Sequence, residues 1–163
     1  MNYLLSLFAA FLLLSCNAQN SNSPYSEIKF ESGACFGSCP IFTMTIASNR
    51  AATLEAERFN FTEGFGGKED FSKPREGSFT TTIKKEDYER LVLLLNESNP
   101  KNLKNYYGNK QMTDLPTSYL TLNFKDGSKK VIQDYGVSGT ENLSKIYDFI
   151  NSLKKSQNWT KIK

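Results

Sequence analysis

Five stretches of the chain, 26–31, 41–47, 52–61, 119–124 and 130–135, alternate apolar and polar side chains with a period of two, and a short Thr-rich run, 79–83, joins them. Successive side chains of a strand point to opposite faces, so this alternation predicts six strands of a sheet with one face buried and one wet. Asp126-Gly127 between the last two strands is a hairpin signal, and Asn49-Arg50 predicts a turn between the second and third. Residues 85–98 instead place Tyr88, Leu91, Val92 and Leu95 at helical spacing, with Asn99-Pro100 as the stop. A second helix carries Leu143, Ile146, Tyr147, Ile150 and Leu153 on one stripe, with Thr140 or Ser138 as its cap. The expected fold is α+β: a single antiparallel sheet of about six strands with two helices packed on one face, in the order β-β-β-β-α-β-β-α.

Residues 3–14 break this pattern. They are apolar except for Ser6 and end at Ser15-Cys16. The stretch is shorter than the about 20 residues of a membrane span and has the length of a secretory apolar region. Leu13-Leu14-Ser15-Cys16 resembles the lipobox of bacterial lipoproteins, although Met1-Asn2 carries no Lys or Arg. The resemblance implies that residues 1–15 are a signal peptide and that Cys16 is the lipidation site. Asn17 in place of Asp favours the outer membrane, facing the periplasm. Residues 16–25 then form a polar, flexible tether, 26–155 a single domain and 156–163 a basic C-terminal tail around Trp159. Without the leader the chain is about one-third apolar, low for an ordinary domain.

Gly33-Ala-Cys35-Phe-Gly-Ser-Cys39-Pro40 is the sharpest motif. Gly37 and Pro40 allow a tight fold-back between two predicted strands, and an exported chain meets an oxidising compartment. With Cys16 lipidated, the two remaining cysteines suit a structural Cys35–Cys39 disulfide. Two soft thiolates could also serve thiol–disulfide exchange or Cu(I) binding. The complete absence of histidine argues against a copper carrier, and the strand after Pro40 departs from the thioredoxin arrangement. The element resembles that of a bacterial exported family of unknown function, which shows Cys-aromatic-Gly-small-Cys-Pro followed by a strand. The similarity extends through Tyr106-Tyr107 and Asp114-Leu-Pro116-Thr117 to the closing helix, with Asn49-Arg50-Ala51 as a departure. It implies a shared fold, lipoprotein or secreted status, and no particular activity.

The lack of histidine also removes Ser-His-Asp and Cys-His catalysis and imidazole metal sites. A net charge of +3 is too mild for a nucleic-acid surface, so no nucleic-acid partner is expected. Gly64-Phe-Gly-Gly-Lys68 lacks the earlier glycine and the Ser/Thr of a phosphate loop. Glu55 and Glu57 read as the wet side of a strand. No catalytic residue, cofactor or metal site is expected. What remains is a membrane-anchored envelope domain that binds an envelope protein or a glycan. Phe65, Tyr106, Tyr107 and Asp114, in the loops 62–78 and 104–117, form the expected contact surface.

Overall fold

The computed structural model describes residues 23–61, 75–109 and 111–163; Cys16, the leader, most of the tether, Phe65 and the stretch 64–68 lie outside the described residues. The strands are β1 (Tyr25–Ser32), β2 (Ile41–Ala47), β3 (Ala51–Arg58), β4 (Gly77–Thr82), β5 (Tyr106–Tyr107), β6 (Thr117–Phe124), β7 (Lys129–Tyr135) and β8 (Thr160–Lys161). The helices are α1 (Lys85–Glu97), between β4 and β5, and α2 (Glu141–Ser156), between β7 and β8, with a 3-10 turn at Pro100–Asn102.

One sheet holds all eight strands, in the order β5-β7-β6-β1-β2-β3-β4-β8. This corrects the expectation in three respects. The sheet has eight strands instead of six, the element order gains β5 and β8, and β5 pairs parallel with β7 while the other pairings are antiparallel. Both added strands are two residues long and lie at the sheet edges. Two residues cannot show a period, so the alternation had no means of revealing them. Short edges also limit pairing with another chain. Residues 156–163, read from sequence as a basic tail, include β8, and the Trp159 indole N–H donates to Leu153 O at 3.1 Å.

The inner face of the sheet carries Ile28 and Phe30 of β1, Phe42, Met44 and Ile46 of β2, Leu54 of β3, and Leu120 and Leu122 of β6, all buried. Both helices close this face. Tyr88, Leu91 and Leu95 of α1 and the predicted stripe of α2 are buried with it. Thr140 is the cap of α2, accepting from Leu143 N at 3.2 Å. At the turn between β2 and β3 the positive φ falls on Arg50, while Asn49 Oδ1 accepts from Ala51 N. The Asp126-Gly127 hairpin forms as expected, with Gly127 at φ +83°.

The helices run across the strands. α2 begins beside β7, where the Asp134 carboxylate accepts from Ser138 N at 2.8 Å and Gly139 N at 3.2 Å. It ends over β2 and β3, where Lys154 Nζ donates to Asn60 Oδ1 at 3.2 Å and stands 3.9 Å from the Phe42 ring centroid. Two ends of the sheet are thereby defined. One carries the loop from Ser32 to Pro40, the segment before Thr117 and the segment after Tyr135. The other carries the start of β1 and the hairpin after Phe124.

Candidate functional site

The loop between β1 and β2 must turn within eight residues, and Cys35 and Cys39 are joined there by a disulfide with a Cα separation of 5.7 Å. Backbone bonds then fasten the loop to the segment before β6: Gly33 N donates to Thr117 O at 2.9 Å, and Phe36 N donates to Asp114 O at 3.0 Å. Tied at these two points, the loop carries the Phe36 side chain outward. It is 89% exposed.

Asp114 holds φ +66°, a left-handed conformation that Asp tolerates better than most residues. Leu115 N donates to the Tyr135 hydroxyl at 3.3 Å, and that hydroxyl donates to Met112 O at 2.9 Å. Tyr135 thus staples the 112–115 segment from both sides. Tyr106, Met112, Thr113, Asp114 and Tyr135 together line an open cleft of about 410 Å³.

The segment after β7 closes this end of the sheet. Gly136 takes φ +77° and donates to Pro116 O at 2.8 Å; a Cβ there would stand 2.6 Å from Leu115 Cδ1. Val137 follows at φ +51°, which is strained for a β-branched residue. Two anchors hold the valine in place. One is the Gly136–Pro116 bond and the other is Asp134, whose fully buried carboxylate binds the backbone of Ser138 and Gly139. Val137 is 44% exposed and Met112 52%.

Two of the expected contact residues, Tyr106 and Asp114, meet in the cleft. Tyr107 does not join them. It packs against the core, and its hydroxyl accepts from Lys104 N at 3.1 Å. Strand alternation accounts for this split, since neighbours in β5 face opposite sides. Phe65 lies outside the described residues. Met112, Tyr135 and Val137 escaped the sequence reading. Gly136-Val-Ser-Gly139 was a visible signal of a turn, but only pairing of β6 with β7 brings it to Asp114.

Two buried polar groups lie behind this end. Tyr147 packs its ring 5.1 Å from that of Phe30, and its hydroxyl has no hydrogen-bond partner among the described residues. Burial foremost, and then the nearby Asp134 carboxylate, push the phenol pKa well above its ordinary value. Lys154 is buried against Phe42, and burial pulls its ammonium pKa down to about 8, partly countered by Glu76. Asn60 Nδ2 donates to Ile41 O and Arg58 O, both at 2.9 Å, so one amide joins β2, β3 and α2. Among the described residues no group of three or more His, Cys, Asp or Glu could hold a metal ion.

A search of curated proteins gives no match. A family model described as a domain of unknown function, DUF6438, matches residues 26–154, from the second residue of β1 to near the end of α2. That span takes in the disulfide loop, the cleft and the helix behind them, as the Cys35–Pro40 element led us to expect of a domain of unknown function. The chain belongs to the DUF6438 family.

Proposed function

We propose that this protein is a lipid-anchored envelope module that contacts a partner protein through the disulfide end of its sheet. One observation carries the contact surface. Three exposed apolar side chains belong to this end: Met112, which lines the Tyr106–Asp114 cleft, Phe36, whose N–H bonds to Asp114 O, and Val137, which follows Gly136, all on a backbone held by a disulfide and by left-handed residues. Hydrophobic collapse would bury such side chains if the loops were free to move, and a rigid, exposed apolar cluster is the mark of a contact surface. The anchor rests on the lipobox at Leu13–Cys16. The geometry suits it, because the tether reaches the domain at Tyr25, roughly 24 Å along β1 from Ser32. A flexible tether attached at the β1 start leaves the disulfide end free to meet a partner away from the bilayer.

Two measurements test this. Labelled fatty acid should enter the wild-type protein and not Cys16→Ser. A photo-crosslinking residue at position 36 should capture a partner in envelopes, whereas one at Leu93, exposed on α1, should not. Equal capture from both positions would remove the contact surface, and capture of glycan alone would replace the protein partner.

A second reading follows from the partial exposure of Cys35 and Cys39, which leaves the disulfide within reach of a thiol. In this reading the pair exchanges with a partner dithiol. A reduction potential in the range of structural disulfides, below about −300 mV, would end it.

A further inference from the structure

We infer that the corner of the domain formed by the segments 99–105 and 124–130 docks on the anionic headgroups of the bilayer that holds the lipid, so that the anchored domain stands there in one orientation. This rests on the lipid anchor proposed above and adds how the domain lies against the membrane.

Connectivity places this corner. Lys125 N donates to Pro24 O at 2.8 Å, so the β6–β7 hairpin is fastened to the residue before β1. Lys101 Nζ pairs with Asp126 at 3.0 Å and Lys130 Nζ donates to Leu103 O, which ties the segment after α1 to the same hairpin. Eight residues lead from Cys16 to Pro24, and they reach at most about 29 Å. An acylated Cys16 therefore keeps Pro24, and the hairpin bonded to it, within about 29 Å of the bilayer surface.

Charge decides which way the domain turns. The two segments hold five lysines, at 101, 104, 125, 129 and 130, against the single acid Asp126, with Glu97 close by at the end of α1. Lys101, Lys104 and Lys129 are exposed, and Lys130 gives its ammonium to a carbonyl oxygen, which fixes its position without neutralising it. The segments of the disulfide end, 32–40, 105–116 and 136–140, hold one charge of each sign, Lys110 and Asp114, counted from the sequence. Arg50 before β3 and Arg58 at its end add one cation to each side. A lysine close to an anionic lipid surface strengthens binding by about fivefold, and the attraction fades beyond about 8 Å at physiological salt. An anionic bilayer thus draws the lysine corner down and leaves Phe36 and Met112 on the far side. The recess behind the corner takes no part, since Tyr25 and Asn96 satisfy each other there.

The test places the acylated protein in bicelles of phosphatidylcholine with or without phosphatidylglycerol, each doped with a headgroup spin-labelled lipid, and reads paramagnetic broadening of backbone amides. In anionic bicelles Asn102, Gly127 and Lys129 should broaden at least about threefold more than Gly37 and Val137, and in neutral bicelles the difference should largely vanish. Lys104→Gln with Lys129→Gln should turn the anionic result into the neutral one, as should high salt. Arginine at both positions should preserve it, because the charge is kept. Lys145→Gln, the same loss of charge at an exposed position of α2, should leave the orientation unchanged. Equal broadening of the two groups in anionic bicelles, an orientation indifferent to the double Gln variant, or the same orientation in neutral bicelles would each overturn the docking surface. Saturable shifts of the same amides by glycerophosphate in free solution would also overturn it, in favour of a small-anion site. Fatty-acid labelling at Cys16 separates the two readings. Incorporation with equal broadening removes only the orientation, and no incorporation removes the anchor and this surface with it.

Discussion

The two ends of the sheet carry cavities of similar size and opposite character. At the start of β1 a recess of about 440 Å³ is lined by residues including Tyr25, Asn96, Lys101, Phe124 and Asp126. There the polar groups have found each other. The Tyr25 hydroxyl donates to Asn96 Oδ1 at 3.0 Å, Lys101 Nζ pairs with Asp126 at 3.0 Å, and the same ammonium sits 4.6 Å from the Phe124 ring centroid. The Tyr25 and Phe124 rings pack at a 45° tilt with centroids 5.2 Å apart. Burial lifts the Tyr25 pKa to about 12, the expected result for a phenol inside a packed end. At the disulfide end the cleft is almost as large, yet among the described residues its Asp114 carboxylate has no Lys or Arg within 4 Å, and exposed apolar side chains and a strained valine lie at the same end. Cavity volume alone does not separate a packing gap from a contact surface. The satisfaction of the lining groups does.

That contrast can be broken at its strong side first. Tyr25→Ala should cost about 3–5 kcal/mol in unfolding experiments, since it empties a buried aromatic site. A loss below 1 kcal/mol would show that the β1 start is not the well-packed end. The buried cation provides a second probe, with its own pH dependence. Lys154 holds its proton less tightly folded, at about 8, than unfolded, at 10.5. Between these values the unfolded chain keeps a proton that the folded chain sheds, so stability rises with pH. The full penalty applies below pH 8. Lys154→Met should therefore match or exceed the wild type at pH 7, and its margin should shrink by on the order of 2 kcal/mol towards pH 10. A margin independent of pH would mean that Asn60 and Phe42 already compensate the charge.

At the disulfide end the effects should be smaller. Removing the short cross-link with Cys35→Ser and Cys39→Ser should lower stability by about 2 kcal/mol and raise hydrogen exchange at Phe36 N, whose bond to Asp114 depends on that loop. Val137→Gly relieves the left-handed strain and should stabilise the domain by about 1 kcal/mol while weakening partner capture. Phe36→Ala should leave stability within about 0.5 kcal/mol and abolish capture by a photo-crosslinking residue placed at Met112 of the same surface. If Phe36→Ala unfolds the domain as Tyr25→Ala does, the two ends are not different in kind.

Much of the architecture was legible because period-two and period-3.6 patterns are local. The six longer strands and both helices stand within a few residues of where the alternation and the stripes placed them; the third strand, expected to run to Phe61, ends at Arg58, where Phe59 turns to φ +59°. Tyr106 and Asp114 were legible as polar and aromatic residues in loops, and they do line one cleft. Tyr107 was misjudged because a two-residue strand carries too little pattern to say which neighbour turns inward. Met112, Tyr135 and Val137 were not legible as site residues. Their proximity depends on β5 joining β7 in parallel, a pairing that no local pattern marks, and on the segments beyond the open end of the β6–β7 hairpin folding against each other.

By itself, the sequence determined which segments are strands and helices, which faces are apolar, where the chain turns, and that Cys35 and Cys39 are near enough to join. Each of these follows from side chains within a few residues of one another. Only the tertiary structure decided the strand order, the two edge strands, the burial of Asp134 and Lys154, and the assembly of Tyr106, Asp114 and Tyr135 around one cleft. These depend on which strands neighbour each other across the sheet. Beyond the two hairpins whose turns the sequence marks, pairing is set by the free energy of the whole core, and no local pattern records it.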